Sequence, residues 1–175
     1  MYSETHPVAF AFAALFFFVA LAQSAVGASR DDSDRPNIIV IMADDLGYGD
    51  LGCYGGTART PHIDRLAREG LRFSDFHSNG AVCSPTRAAF LTGQYQQRSG
   101  IIAALGENAK GLPFTQKTVA SYLREKGYRT ALFGKWHLGY HPEHGPLHHG
   151  FDEFRGHLHG ALDYFSKVDQ YGRID

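Results

Sequence analysis

The run Asn37-Ile-Ile-Val-Ile-Met42 is apolar and rich in β-branched side chains. It does not alternate, so a strand made from it needs cover on both faces, as inside a parallel sheet. Helix signals follow it. Thr60-Pro61 sets a capping hydroxyl before a proline at the first helical position, Ile63, Leu66 and Ala67 fall on one face, and Gly70 supplies a stop. Leu71–Ser78 is expected as a second strand of imperfect alternation. Ser84-Pro85 repeats the cap-and-proline signal for a helix that Gly93 ends. A third helix is expected over Thr115–Lys126, packing Val119, Tyr122 and Leu123 and stopping at Gly127. Tyr128–Phe133 then reads as another strand, leading into Gly134-Lys135-Trp136-His137. Strands that alternate with helices predict an α/β fold with a largely parallel sheet.

The extreme N-terminus is set apart from this pattern. Val8–Ala22 is an apolar run of 15 residues, short of the roughly 20 that span a bilayer. Val26-Gly27-Ala28 is a small-x-small site, so residues 1–28 are expected to be a signal peptide, 29–35 a polar linker and 36–175 the folded part. The segment before the apolar run carries no Lys or Arg, which departs from the usual charged start of such a signal. An exported protein without stable membrane insertion is expected. The 17 Lys+Arg against 18 Asp+Glu leave a formal charge of −1, which provides no global field for nucleic acid or anionic lipid. Cys53 and Cys83 are the two cysteines, and they form neither a C-x-x-C pair nor a disulfide framework. Cys53 is expected as a plain buried thiol.

In open α/β sheets ligands bind beyond the carboxyl ends of the strands, and the chemically loaded segments fall there. Asp44-Asp45 follows the first strand. Taken alone the pair is a solvated turn or a cap; neighbouring carboxylates also suit a hard cation such as Ca2+. Cys83 sits just ahead of a helix N-terminus with Arg87 four residues on, a place where backbone N–H groups and a guanidinium favour an anion. Lys135 and His137, two residues apart in an extended segment, share one face and set a fixed cation beside a titratable group. Each has a bland reading as a surface or core residue. Jointly they describe a site for a tetrahedral oxyanion with a divalent cation. Seven of the 10 histidines lie between His137 and His159 without regular ligand spacing, so a solvated loop is expected there. Tyr48, Tyr54 and Trp136 are expected to pack.

Cys83-Ser-Pro-Thr-Arg87, continued through Thr92-Gly93, resembles the C-x-P-x-R signature of the sulfatase family. Gly127–His137 is similar to the family's second signature, with Phe133 where a smaller residue is usual. Pro36–Gly55, which contains Asp44-Asp45, resembles its N-terminal metal-binding strand and loop, and His149–Phe154 with Gly156 matches another recurrent segment. The likeness runs from about Arg35 to Gly156, in order. It implies an alkaline phosphatase-like α/β fold with a mainly parallel sheet flanked by helices, of which this chain is the N-terminal portion.

The resemblance also implies a chemistry. A separate maturation enzyme oxidises Cys83 to formylglycine, whose hydrate offers one hydroxyl to attack the sulfur of a sulfate ester and a second with which to release sulfate. Asp44, Asp45 and residue 83 ligate Ca2+; Arg87 and Lys135 stabilise the oxygens; His137 is the base. The implied substrate is a small-molecule or glycan sulfate ester. Further calcium and leaving-group residues (an Asp-Asn pair, a His and a Lys) and a smaller C-terminal domain are expected beyond residue 175, and the segment alone is expected to be inactive. Two other readings stay open at this point: a non-catalytic truncated anion-binding remnant, and a phosphoester or phosphonate ester hydrolase on the same scaffold.

Overall fold

The computed structural model describes residues 35–169. The expected signal peptide lies outside the described residues. By contact density the chain divides into Met1–Ala43 and Asp44–Asp175. In the first unit the described residues form no helix or strand. Ile38, Ile39, Val40 and Ile41 are 53%, 84%, 58% and 84% exposed. The expected strand at Asn37–Met42 is therefore not formed among the described residues. An apolar run reports a capacity for burial, and the ladder and cover that convert it into a strand are not built here.

Among the described residues, the second unit holds three α-helices and a parallel pair of strands: α1 (Pro61–Glu69), α2 (Cys83–Thr92), α3 (Val119–Glu125), β1 (Ala131–Lys135) and β2 (Glu153–His157). Short 3-10 turns lie at Tyr48–Asp50, Gly52–Tyr54, Gln96–Arg98, Pro142–His144 and Pro146–His149. None of the described helices is long and apolar enough to cross a membrane.

Helix α1 opens at Thr60 with Pro61 in its first turn, as expected, but Thr60 does not cap it with a side-chain bond to the backbone. Its hydroxyl donates to Asp64 Oδ1 (2.9 Å) and accepts from the Gly52 N–H (2.9 Å), and Asp64 Oδ1 also accepts from the Cys53 N–H (2.8 Å). The 52–54 turn is thereby fastened to the helix. Cys53 is half-buried rather than enclosed, because its backbone makes the contacts. The apolar face of α1 lies open, with Ile63 and Leu66 43% and 61% exposed. Leu71–Ser78, expected as a strand, runs as irregular, exposed chain. It has no ladder partner among the described residues, and its imperfect alternation offers no single face to bury.

Helix α2 starts one residue before the expected cap. Val82, extended, is the N-cap, Cys83 is the first helical residue, and Ser84 and Pro85 fall inside the first turn. Ser84, Ala88 and Leu91 form the buried stripe at i, i+4 and i+7. Gly93 closes the helix in the left-handed region (φ 64°), its N–H donating to the Ala89 carbonyl. Helix α3 is shorter than expected and is capped by Thr118, whose hydroxyl oxygen accepts from the Ser121 N–H (3.2 Å) and donates to the His149 carbonyl (2.5 Å). The core joins Ala88 and Leu91 of α2 to Ile101, Leu112, Ala120, Trp136, Leu138, Phe151 and Leu158.

Strand β1 begins three residues later than expected and runs through Gly134 to Lys135, paired with β2 from Ala131↔Glu153 to Lys135↔His157. The ladder continues past both strands, the Trp136 N–H donating to the His157 carbonyl (2.9 Å) and the His137 N–H to the Leu158 carbonyl (3.0 Å). The histidine-rich stretch is packed rather than a solvated loop. Phe114 stacks on His144 and on His149 (5.3 Å each), and His149 lies over Trp136 (5.4 Å). His149 is 3% exposed, whereas His141 and His148 face solvent. Two Pro-led 3-10 turns fold the run so that alternate rings go inward, which composition alone does not encode. Trp136 is enclosed as expected; Tyr48 is 62% exposed and contacts Tyr54 at 4.5 Å.

Candidate functional site

Three predicted residues from three separate segments meet at the C-terminal end of β1. Asp44 opens the second unit, Arg87 lies one turn into α2, and Lys135 ends β1. The Lys135 ammonium donates to Asp44 Oδ2 at 2.7 Å, and an Arg87 nitrogen lies 3.4 Å from the same oxygen. Arg87 also donates to the Lys135 carbonyl at 2.6 Å, which ties the helix to the strand end. The two cationic side chains are 13% and 15% exposed and the carboxylate 39%. One negative and two positive charges leave a formal +1 in a partly dried cluster. Burial on its own would raise the Asp44 pKa, yet the hydrogen bond and charge of Lys135, helped by Arg87, outweigh it and hold the group below its ordinary value. Asp44 is therefore ionised at neutral pH.

Cys83 is placed by the same helix. As its first residue, one turn before Arg87, it shares that face of α2 and is half-buried. The first-turn N–H groups of a helix carry the positive end of its dipole. Asp45 is exposed and has a left-handed backbone (φ 54°), which turns the chain directly after Asp44.

His137 departs from the expected extended alternation. Its φ is +54°, so it does not continue the pleat of β1, and it is 3% exposed. Nε2 lies 3.1 Å from the Leu105 carbonyl and 3.3 Å from Tyr140 Oη. Nδ1 is buried and has no hydrogen-bond partner among the described residues. Desolvation is the main cause that lowers the His137 pKa, with the charges of Lys135 and Arg87 adding to it against the opposing pull of the Leu105 bond. The ring is therefore neutral near pH 7 and electrostatically coupled to the cluster. Leu105 and Gly160 around it escape sequence reasoning because they arrive from 20–35 positions away, and Tyr140, only three residues on, because no local motif marks its hydroxyl for the ring.

Asp44 and Asp45 are hard oxygen donors, the chemistry that Ca2+ selects, but two carboxylates offer fewer oxygens than the roughly 6–8 it takes. Among the described residues no group of three or more His, Cys, Asp or Glu side chains stands together as a metal nest. The donor type fits the ion, and the number fits part of a shell. A shallow cleft lined by Gly52, Cys53, Arg68 and Arg72 involves none of these residues.

Residues 36–173 match the family model described as Sulfatase. The chain is 50% identical over 135 residues to a steryl-sulfatase of Mus musculus, an alignment that covers 69% of this chain and 22% of that protein. It superimposes on the crystal structure of Ps i-CgsB in complex with k-i-k-neocarrahexaose with a TM-score of 0.70 at 42% identity, covering 79% of this chain and 31% of that one. A second solved structure, the PsFucS1 sulfatase from Pseudoalteromonas sp., gives 0.68 at 33% identity over 95% of this chain and 32% of its own. The chain spans 22–27% of the length of curated relatives it matches.

Proposed function

From the premise that this chain belongs to the sulfatase family, we propose that it is the nucleophile-bearing part of an exported sulfuric ester hydrolase. The observation that carries the proposal is the Asp44–Lys135–Arg87 cluster, one helical turn from a half-exposed cysteine at a helix start. Cys83, oxidised to formylglycine by a separate maturation enzyme, supplies a hydrated aldehyde as nucleophile. Arg87 holds the formylglycine oxygen and Lys135 the sulfate, both offsetting charge as it develops from a fixed, partly dried position in which little reorganisation is needed. The formal +1 of the three-residue cluster suits the monoanion of a sulfate ester. Asp44 and Asp45 would hold Ca2+, which when bound offsets negative charge at the reacting group. Asp44 holds the Lys135 ammonium in place through their 2.7 Å contact. His137, neutral and desolvated, is the group that takes a proton when sulfate is released. The substrate class is a small-molecule or glycan sulfate ester, in keeping with a relative named steryl-sulfatase and a structural neighbour solved with a neocarrahexaose. The N-terminal residues 1–28 act as the export signal.

The test uses the longer protein that contains this chain, produced with and without a formylglycine-generating enzyme. Trypsin releases the peptide Phe73–Arg87, and its mass is expected to show an aldehyde in place of the thiol at position 83 only when the maturation enzyme is present. Cys83→Ala is expected to cost about a thousandfold or more in turnover of an aryl sulfate. Unmodified thiol together with full turnover overturns the proposal.

A further inference from the structure

Three groups converge on the Nε2 edge of His137. The Leu105 carbonyl oxygen lies 3.1 Å from Nε2, and Tyr140 Oη lies 3.3 Å from it and 3.0 Å from the same carbonyl. The Gly160 N–H donates to Tyr140 Oη at 3.3 Å, and a Cβ on Gly160 would stand 2.6 Å from Cε1 and Nε2 of His137, so the chain there presses directly on the ring. A carbonyl oxygen only accepts, and a phenol has one proton to give. The Leu105 carbonyl takes that proton, which leaves Tyr140 turning a lone pair towards Nε2. A bare Nε2 would then confront two acceptors at short range in a dry setting, at the cost of an unmade hydrogen bond. The proton therefore belongs on Nε2. Nδ1, enclosed and with no partner among the described residues, keeps the open lone pair.

We infer that Tyr140 is a positioning residue for His137: together with the Leu105 carbonyl it fixes the Nε2–H tautomer and makes Nδ1 the proton-accepting atom. The inference rests on His137 acting as the base. The Tyr140 ring also packs at 4.8 Å on His159 and edge-on at 5.8 Å to His137, so Tyr140→Phe removes the hydroxyl and keeps the packing.

The test combines ring nitrogen NMR with kinetics on the longer protein. In 15N-histidine-labelled wild type, His137 is expected to show the Nε2–H pattern; an Nδ1–H pattern overturns the inference and needs no variant. In Tyr140→Phe the ring is expected to become a tautomeric mixture and kcat for an aryl sulfate to fall about tenfold, a part of the roughly 10²–10⁴ that a base supplies, with KM within about twofold. A variant with unchanged kcat, or with lowered kcat and an unaltered tautomer pattern, overturns the role of Tyr140. His137→Gln separates the two failures: full turnover in that variant removes the base on which the inference stands, whereas impaired turnover beside a wild-type-like Tyr140→Phe removes the positioning role alone.

Discussion

At the scale of single residues, one pH-sensitive contact lies away from the charged cluster. His149 is 3% exposed, sandwiched against Phe114 and Trp136, and its pKa is lowered to about 4, first by burial and then by the nearby charges of His144 and His148. A group whose folded pKa falls below its unfolded value of about 6.5 binds more protons when unfolded, so stability rises with pH through that interval. Its contribution is complete above about pH 6.5 and is lost as pH falls towards 4. The 1.36 kcal/mol per unit makes this about 3 kcal/mol for complete titration. His149→Phe keeps a flat ring between Phe114 and Trp136 and removes the titration. Urea unfolding from about pH 7 to pH 4.5 should therefore show a shallower acid loss in the variant than in wild type. Equal slopes would assign the acid sensitivity to the other buried rings. The residues that carry this effect were visible in the sequence only as a histidine-rich stretch, since ring stacking depends on two successive 3-10 turns that have no periodic signature.

At the scale of elements, the cluster depends on the β1–β2 pair, because Lys135 is delivered by the end of β1. The register sets Gly134 opposite Gly156. A Cβ on Gly156 would stand 1.9 Å from the Gly134 carbonyl oxygen, and Gly134 itself has φ +108°, a conformation that side chains other than glycine rarely adopt. Gly156→Ala must push the strands apart, with an expected loss of roughly 2 kcal/mol or more. Because the separation acts on the ladder that leads to Lys135, affinity for sulfate should fall with stability, and calorimetric titration of sulfate beside a thermal melt checks both. Unaltered melting would show that the strand pair accommodates the methyl group. This pairing also marks where sequence reading stops. The helices were legible because capping residues, apolar spacing and terminal glycines act within one segment, and even the one-residue error at α2 moved Cys83 only from before the helix to its first turn. Glu153–His157 offered no strand pattern of its own: it is short, half polar and interrupted by Gly156, and it becomes a strand through its partner. Asp44 was legible because it follows the apolar run expected as a strand, Arg87 because it lies one turn into a helix whose start the sequence marks, and Lys135 because it closes β1, the places where a fold of this class gathers its chemistry.

At the scale of the whole molecule, the same physics limits what the 175-residue chain can do by itself. Full burial of a side chain such as Ile39 or Ile41 contributes about 1.5–3 kcal/mol, against about 1–2 kcal/mol to fix each residue's backbone. The apolar run before Asp44 therefore becomes a strand only where sheet and helices cover both faces. Its exposure here, like that of the apolar face of α1, is surface that the described residues do not cover. The cation requirement is similar, since Asp44 and Asp45 are donors of the right type and too few in number for a Ca2+ shell. Both shortfalls lead to one expectation: the isolated 175-residue chain, even with Cys83 matured, should turn over an aryl sulfate at less than about a thousandth of the rate of the longer protein. It should also bind a hydrophobic dye such as ANS strongly, while the longer protein binds little. Calcium titration separates the two causes, because a missing shell predicts no saturable binding by the short chain and saturable binding by the long one. Robust turnover by the short chain would mean that the Asp44–Lys135–Arg87 cluster and residue 83 suffice without a complete shell, and the role assigned to the two aspartates would fall with that result.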